Sequence, residues 1–308
     1  MHYFVSETAS DGSVYSCDKI CIMGKIYYTF CDTFSSDLSM FFIKYDLNSN
    51  SNVTFYPFVE NIKGLKKYHY FERMNISFFR NNFNIDLTDD TSFFFAYKHN
   101  SQLGNNTDVS WKLELNPNKC LPCDFVTDFI SFLASHSKPT SIRISQMDIA
   151  IDFREKRNNV YLVKDRRIHT RIDSGSDNVT EYLSKHNQHG FVKLYNKTAE
   201  SNLDYVLTRL EITVKEFTWN DFLNVFPSVH VYSDSQITFD DKCLDLSQND
   251  EVFLSLLRLH PEYLCKLTYR KQQKFQPYIQ EEAPIIVPDM VAYLNLLEKV
   301  RDTFYVSK

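Results

Sequence analysis

Apolar and polar residues alternate through the middle of this chain, and three of the alternating segments carry an acid at their centre. They are Lys112-Leu113-Glu114-Leu115, Met147-Asp148-Ile149-Ala150-Ile151-Asp152-Phe153 and Arg209-Leu210-Glu211-Ile212. Successive side chains of a strand point to opposite faces. Trp111, Leu113 and Leu115 therefore share one face, as do Met147, Ile149, Ile151 and Phe153, and likewise Leu210, Ile212 and Val214. The acids fall on the other face each time. An acid on the open face of a half-buried antiparallel sheet is ordinary solvated surface, and it is the threefold repeat that suggests a site. If the strands are neighbours, Glu114, Asp148, Asp152 and Glu211 crowd together, and crowded carboxylates raise one another's pKa or recruit a cation.

The same patterning predicts the remaining elements. Residues 1 to about 90 read as irregular strands, among them Ile26 to Phe30, Met40 to Tyr45 and Val53 to Val59, broken by Ser, Asn and Asp clusters. Phe93 to Tyr97 and Ser110 to Leu115 read as a strand pair. A helix is expected from about Pro122 to His136, because Phe125, Val126, Phe129, Ile130, Phe132 and Leu133 form a stripe at helical spacing. Strands follow over Ser141 to Phe153, Asn159 to Val163, Thr180 to Leu183, Phe191 to Tyr195 and Val206 to Lys215, then a short helix over Trp219 to Phe226. Beyond it helices are expected over Asp250 to Leu259, Pro261 to Gln273 and Pro288 to Phe304, with Gln276 to Pro288 as a proline-rich connector.

A short internal echo relates two stretches of the chain. Phe95-Ala96-Tyr97-Lys98 precedes the Glu114 strand much as Lys193-Leu194-Tyr195-Asn196-Lys197 precedes the Glu211 strand. The expected fold is α+β: a twisted, largely antiparallel sheet core of two similar halves, about 1–120 and 121–220, followed by a mainly helical C-terminal region over 221–308.

Composition narrows the class. The chain has 308 residues, 43% hydrophobic, enough for a sizeable core, and 26 Phe and 19 Tyr against 6 Gly favour ring-filled, β-rich packing over flexible loops. No basic, apolar leader opens the sequence and no stretch has the length of a membrane span, so a cytoplasmic protein is expected, without a membrane partner. Seven cysteines, an odd number, fit reduced thiols better than a disulfide framework. Cys120-Leu121-Pro122-Cys123 at a helix start, with Cys17, Cys21 and Cys31 elsewhere, could form a zinc or a redox site.

The net charge of −5 argues against a passive nucleic-acid binder, but its distribution is uneven. Arg154, Lys156, Arg157, Lys164, Arg166, Arg167 and Arg171 face only Glu155 and Asp165 over Phe153 to Arg171, a stripe able to track a phosphate backbone or simply a solvated loop. With so few glycines there is no phosphate loop or dinucleotide fingerprint, which excludes autonomous nucleotide hydrolysis.

Tyr182 and Tyr195 stand between Asp152 and Glu211 in sequence. A phenol of pKa near 10 is ionised only about once in a thousand at neutral pH, a deficit of roughly 4 kcal/mol if phenolate is the attacking species. A divalent ion on the carboxylates, with nearby Lys or Arg, could supply that activation and neutralise a scissile phosphate.

The ordered set Trp111 to Lys119, Ile144 to Asp152, Tyr182-Leu183-Ser184-Lys185, Phe191 to Lys197 and Thr208 to Ile212 resembles the replication initiation factor family, over about residues 93 to 217. That family includes rolling-circle plasmid initiators, related conjugative relaxases and, more distantly, gene II proteins of filamentous phages. The resemblance implies an enzyme that nicks one DNA strand at a plasmid or phage origin, single-stranded or in a hairpin. It would form a tyrosyl 5′-phosphate and leave a 3′ hydroxyl for a host polymerase, with a host helicase as a further partner and a homodimer as a possible state.

Carried over, Tyr182 matches the nucleophile of the family's Tyr-aromatic-Gly-Ser-Arg segment, with Tyr195 the second choice. Asp148, Asp152, Glu114 and Glu211 match the ligands of a divalent metal, Mg or Mn. Lys185, Lys193, Lys197 and Arg209 are phosphate-contact candidates, and Arg154, Arg166 and Arg167 of the basic stretch add to DNA binding. Leu183-Ser184-Lys185-His186 departs from the aromatic-Gly-Ser-Arg run, and Gln146 stands where arginine is common. A relaxase for mobilisation and a non-enzymatic origin-binding protein are the alternatives.

Overall fold

A computed structural model describes residues 5–44, 54–57, 81–88, 91–101, 107–175, 178–186, 188–217, 229–233, 246–279, 285–286 and 289–304. The strands, in chain order, are β1 (Ser6–Thr8), β2 (Val14–Lys25), β3 (Thr54–Pro57), β4 (Asn81–Thr88), β5 (Thr91–Ser101), β6 (Thr107–Leu115), β7 (Arg143–Phe153), β8 (Val160–Leu162), β9 (His169–Asp173), β10 (Val179–Leu183), β11 (Phe191–Asn196), β12 (Thr208–Phe217), β13 (Val231–Ser233) and β14 (Ile285–Ile286). The α-helices are α1 (Phe34–Lys44), α2 (Pro117–Cys120), α3 (Asp124–His136), α4 (Lys197–Ser201), α5 (Gln248–Leu259), α6 (Tyr269–Phe275) and α7 (Met290–Phe304).

One eleven-stranded antiparallel sheet runs β3-β4-β5-β6-β2-β7-β12-β11-β10-β9, with β1 added beside β2. This order reads alike from both ends. In each half the first long strand, β2 or β7, takes the centre; the chain then starts again at the outer edge and steps inward until β6 or β12 closes against that central strand. The registers agree as well. Glu114 pairs with Cys21 on its inner side and Phe94 on its outer side, and Glu211 pairs with Ala150 and Lys193.

The face opposite the acids is packed. Phe34, Leu38 and Phe42 of α1 stand four residues apart, which puts them on one side of the helix. With Phe125, Val126, Phe129, Ile130 and Leu133 of α3 and Tyr293, Leu296 and Val300 of α7 they close over Phe95, Leu113, Ile149, Ile151, Leu210 and Ile212 in a single core. Each such side chain contributes about 1.5–3 kcal/mol by leaving water. Gly24 is required here: it pairs with Trp111, and a Cβ would lie 2.6 Å from the indole ring, whose Nε1 donates to Ser137 at 2.8 Å.

Two early expectations are corrected. Met40 to Lys44 belongs to a helix, because the Phe34, Leu38 and Phe42 stripe outweighs the local apolar run, and Tyr28 to Phe30 is a 3-10 turn beyond the end of β2. The expected helix at Trp219 to Phe226 lies outside the described residues. The helical C-terminal region divides in two. Helices α5 and α6 pack with the β8-β13-β14 sheet around a smaller core of Tyr161, Tyr232, Leu254, Leu257 and Phe275, whereas α7 returns to the main core beside β1 and β2. Among the described residues no helix is long and apolar enough to cross a membrane, and the six described cysteines, Cys120 and Cys123 among them, are free thiols.

Candidate active site

The acids do share a face. Cross-strand partners point the same way, so the pairings Tyr182↔Lys193, Lys193↔Glu211, Glu211↔Ala150 and Ala150↔Ser16 form one row across five strands. A second row runs Tyr195, Arg209, Asp152, Val14, and a third Phe191, Thr213, Asp148, Lys19. A bulge between Cys17 and Lys19 turns Asp18 onto this face too, where it accepts from Arg209.

Although they share the face, the four carboxylates differ in their partners. Glu114 is buried between Lys19, 2.5 Å away, and Lys112, 3.1 Å away. Asp152 is clamped by Arg209, whose Nε and Nη2 donate at 2.6 and 2.8 Å while Nη1 reaches Asp18 at 2.7 Å. Asp148 accepts from the Gln146 amide at 3.1 Å. Burial is the largest influence on it and pushes its carboxyl above the ordinary aspartate range, against the opposing pull of Thr213 and Lys19. Glu211 accepts a short hydrogen bond from the Tyr195 hydroxyl, and burial raises its carboxyl as well.

Among the described residues no group of three or more His, Cys, Asp or Glu side chains is placed to hold a metal ion. The four carboxylates differ in this respect: Glu114 and Asp152 have basic partners of their own, Lys19 and Lys112 for the one and Arg209 for the other. Asp148 and Glu211, diagonal neighbours on β7 and β12, are ionisable only at a burial cost that a cation would relieve. Two carboxylates suit magnesium, which keeps several waters and takes further oxygens from phosphate. In the same row, the buried Ser16 hydroxyl has no hydrogen-bond partner among the described residues.

The tyrosines also separate. Tyr195 is 4% exposed, its hydroxyl on Glu211 Oε1, with the Lys193 ammonium 3.7 Å and the Lys197 ammonium 5.8 Å from its ring centre. Burial and then the Glu211 charge push its phenol far above the ordinary value. Tyr182 is half-buried, two strands from Glu211, and stacks on Phe191 with ring centres 5.8 Å apart. Just past it, Ser184 holds φ +70°, a left-handed conformation at the position where the related segment has glycine.

Several expected phosphate contacts are engaged within the protein. Arg209 is buried, with its Nε and Nη2 donating to Asp152 and its Nη1 to Asp18. Arg167 is bound to Asp165 at 2.5 Å and to the Gly190 carbonyl at 2.9 Å. Lys197 pairs with Glu200 at 2.5 Å and Lys193 lies 3.9 Å from the same glutamate. Arg154 lies over the Tyr205 ring. Arg166 and Lys185 are exposed.

Sequence reading missed Asp18 and Lys19, which a bulge brings to the site, and a buried charge cluster on the opposite face. Glu181, fully buried, accepts from Arg157 at 2.7 Å and lies 3.1 Å from His169. Burial alone would raise the Glu181 carboxyl, but His169 and Arg157 hold it below the ordinary glutamate range. An acid on the apolar side of a strand, paired with an arginine from the basic stretch, was the available signal. That stretch is partly structural.

No family model matches the chain. A replication initiation protein of Staphylococcus aureus is 24% identical over 195 residues, 58% of this chain and 57% of that protein, so the chain spans little more than half the length of this curated relative. A solved structure of a rolling circle replication initiator protein from Geobacillus stearothermophilus shares 13% identity with a TM-score of 0.37, covering 80% of this chain and 97% of that one. The similarity to the Staphylococcus aureus protein agrees with the resemblance carried by residues 93 to 217.

Proposed function

We propose that this chain, a relative of replication initiation proteins, initiates rolling-circle replication by nicking one DNA strand with a tyrosine. The observation that carries the reading is the contact between the Tyr195 hydroxyl and the Glu211 carboxylate, a nucleophile and a base within hydrogen-bond reach on an acid-bearing sheet face. Tyr195 Oη attacks the scissile phosphorus as Glu211 takes the phenolic proton. The bond from phosphorus to the 3′ oxygen breaks, that oxygen gains a proton from solvent, and a tyrosyl 5′-phosphate remains. Attack by a 3′ hydroxyl in the reverse sense rejoins the strand.

Passing the proton straight to a carboxylate avoids populating free phenolate, which costs roughly 4 kcal/mol at neutral pH for an ordinary phenol and more for the buried Tyr195. A divalent ion held by Asp148 and the second oxygen of Glu211 would supply charge neutralisation at the phosphate. Lys193, beside the Tyr195 ring and across from Tyr182, would exchange its 3.9 Å contact with Glu200 for the negative charge of the strand.

Tyr182 is the second reading for the nucleophile, favoured by its greater exposure and by the Tyr-Leu-Ser-Lys resemblance. Supercoiled DNA bearing the cognate origin separates the two. Tyr195→Phe is expected to abolish nicking and covalent capture of the 5′ end while Tyr182→Phe keeps both. Loss in Tyr182→Phe alone would move the nucleophile to that residue, and nicking that survives in both variants would end the tyrosine mechanism. A wild-type chain that binds the origin without cutting it would support the non-enzymatic reading. A relaxase role rests on the same chemistry, with a transfer origin as the substrate.

A further inference from the structure

The acid face changes character toward β9. At its centre lie Asp18, Asp148, Asp152 and Glu211, while toward the β9 edge this face carries Thr170, Ile172, Thr180, Tyr182 and, on β11, the buried Phe191. Ile172 is 49% exposed. His186 stands edge-on to Phe191, ring centres 5.2 Å apart at 74°. Half-buried Lys193 stands opposite Tyr182 on the neighbouring strand, 3.9 Å from Glu200, and exposed Lys185 follows Tyr182 by three residues, whereas the nearest acids in sequence, Asp173 and Glu181, occupy the alternate positions of β9 and β10 and point to the other face.

Resting on the nicking reading, we propose that the Tyr182–Phe191 stack is a platform for an unpaired DNA base beside the phosphate to be cut. Aromatic rings among cations are the chemistry by which single strands are held, because every base has a face to stack while the phosphates meet the charges. Tyr182 and Glu211 belong to one cross-strand row with Lys193 between them. Two strand spacings of about 4.8 Å separate them, the reach of a neighbouring nucleotide. A duplex hides its base faces, so the platform selects DNA already opened at the nick.

The test is anisotropy of a fluorescein-labelled oligothymidylate with the full chain, beside a strand of the same length made of abasic residues. Tyr182→Leu is expected to weaken oligothymidylate binding about ten-fold, within the range for one stacked base, and Tyr182→Phe to keep it. On the abasic strand wild type and Tyr182→Leu should bind alike. Equal affinity of wild type and Tyr182→Leu for oligothymidylate, or an equal loss on both strands, would overturn the proposal. Ile172→Glu, at an exposed position that leaves folding intact, should weaken oligothymidylate binding as well. If it leaves that affinity unchanged but alters the sedimentation of the free protein, the patch is a contact between copies and the proposal falls. Nicking of origin DNA by Tyr195→Phe is read separately from oligothymidylate binding by Tyr182→Leu, so failure of the nucleophile assignment and failure of the platform are told apart.

Discussion

Glu114 and Glu211 occupy equivalent places in the two halves of the sheet, on the strand that closes against the central pair, yet their surroundings have diverged. Around Glu114 stand Lys19 and Lys112, with Phe94 and Ala96 on the adjacent strand. Around Glu211 the matching positions on that strand carry Lys193 and Tyr195, and one strand further out Tyr182 stands where the first half has Asn84. The first half has closed its acid into ion pairs, while the second pairs its acid with a phenol. A repeated backbone thus supplies two copies of one scaffold, and the choice of neighbours decides which acid is closed into ion pairs and which meets a phenol.

The sharpest way to break this contrast is to neutralise each glutamate in turn. Glu211→Gln should lower nicking by 10²–10⁴-fold, the usual contribution of a positioned base, with the melting temperature held or raised because a costly buried charge is gone. Glu114→Gln should leave nicking by folded protein within a few-fold of wild type and lower stability, since Lys19 and Lys112 lose their partner. The reverse pattern would reassign the two halves. Nicking by wild type should also rise with pH through the raised pKa of Glu211, since the base acts ionised, and this limb should vanish in Glu211→Gln.

Strand β10 sharpens the comparison on a single element, with Tyr182 on one face and Glu181 on the other. Removing Glu181 leaves Arg157 buried without a counter-charge, so Glu181→Ala should cost about 3–5 kcal/mol in a urea titration. The pH dependence of stability has opposite signs at the two glutamates. The lowered pKa of Glu181 contributes stability that is present above the unfolded value, near 4.3, and is lost as pH falls through the folded one. The raised pKa of Glu211 contributes stability that is full below the unfolded value and is lost as pH rises through the folded one. Urea midpoints of Glu181→Gln and Glu211→Gln beside wild type across the acid range read this directly. The smallest effect is at the β10–β11 turn, where Ser184→Gly should relieve a left-handed backbone and gain up to about 1 kcal/mol.

Much of the second half was legible because its strands alternate cleanly. The face of each acid, the strands around Tyr182, Tyr195 and Glu211 and the helix after Cys123 all follow from a period of two or of 3.6, and the fold class follows from their order. The N-terminal part was less readable. Its helix carries an apolar run that passes for a strand, and the central strand β2 mixes buried and half-exposed positions around a bulge.

The sequence by itself determined which side of its strand each of Glu114, Asp148, Asp152 and Glu211 would occupy, since side-chain alternation is a local property of the backbone. Only the tertiary structure decided which acids would be neutralised. Lys19, Asp18 and Arg209 come from distant parts of the chain, and a carboxylate's protonation depends on the charges and water around it, which strand order and register alone set. A strand carboxylate thereby became an ion-pair partner at 114 and 152 and a candidate base at 211.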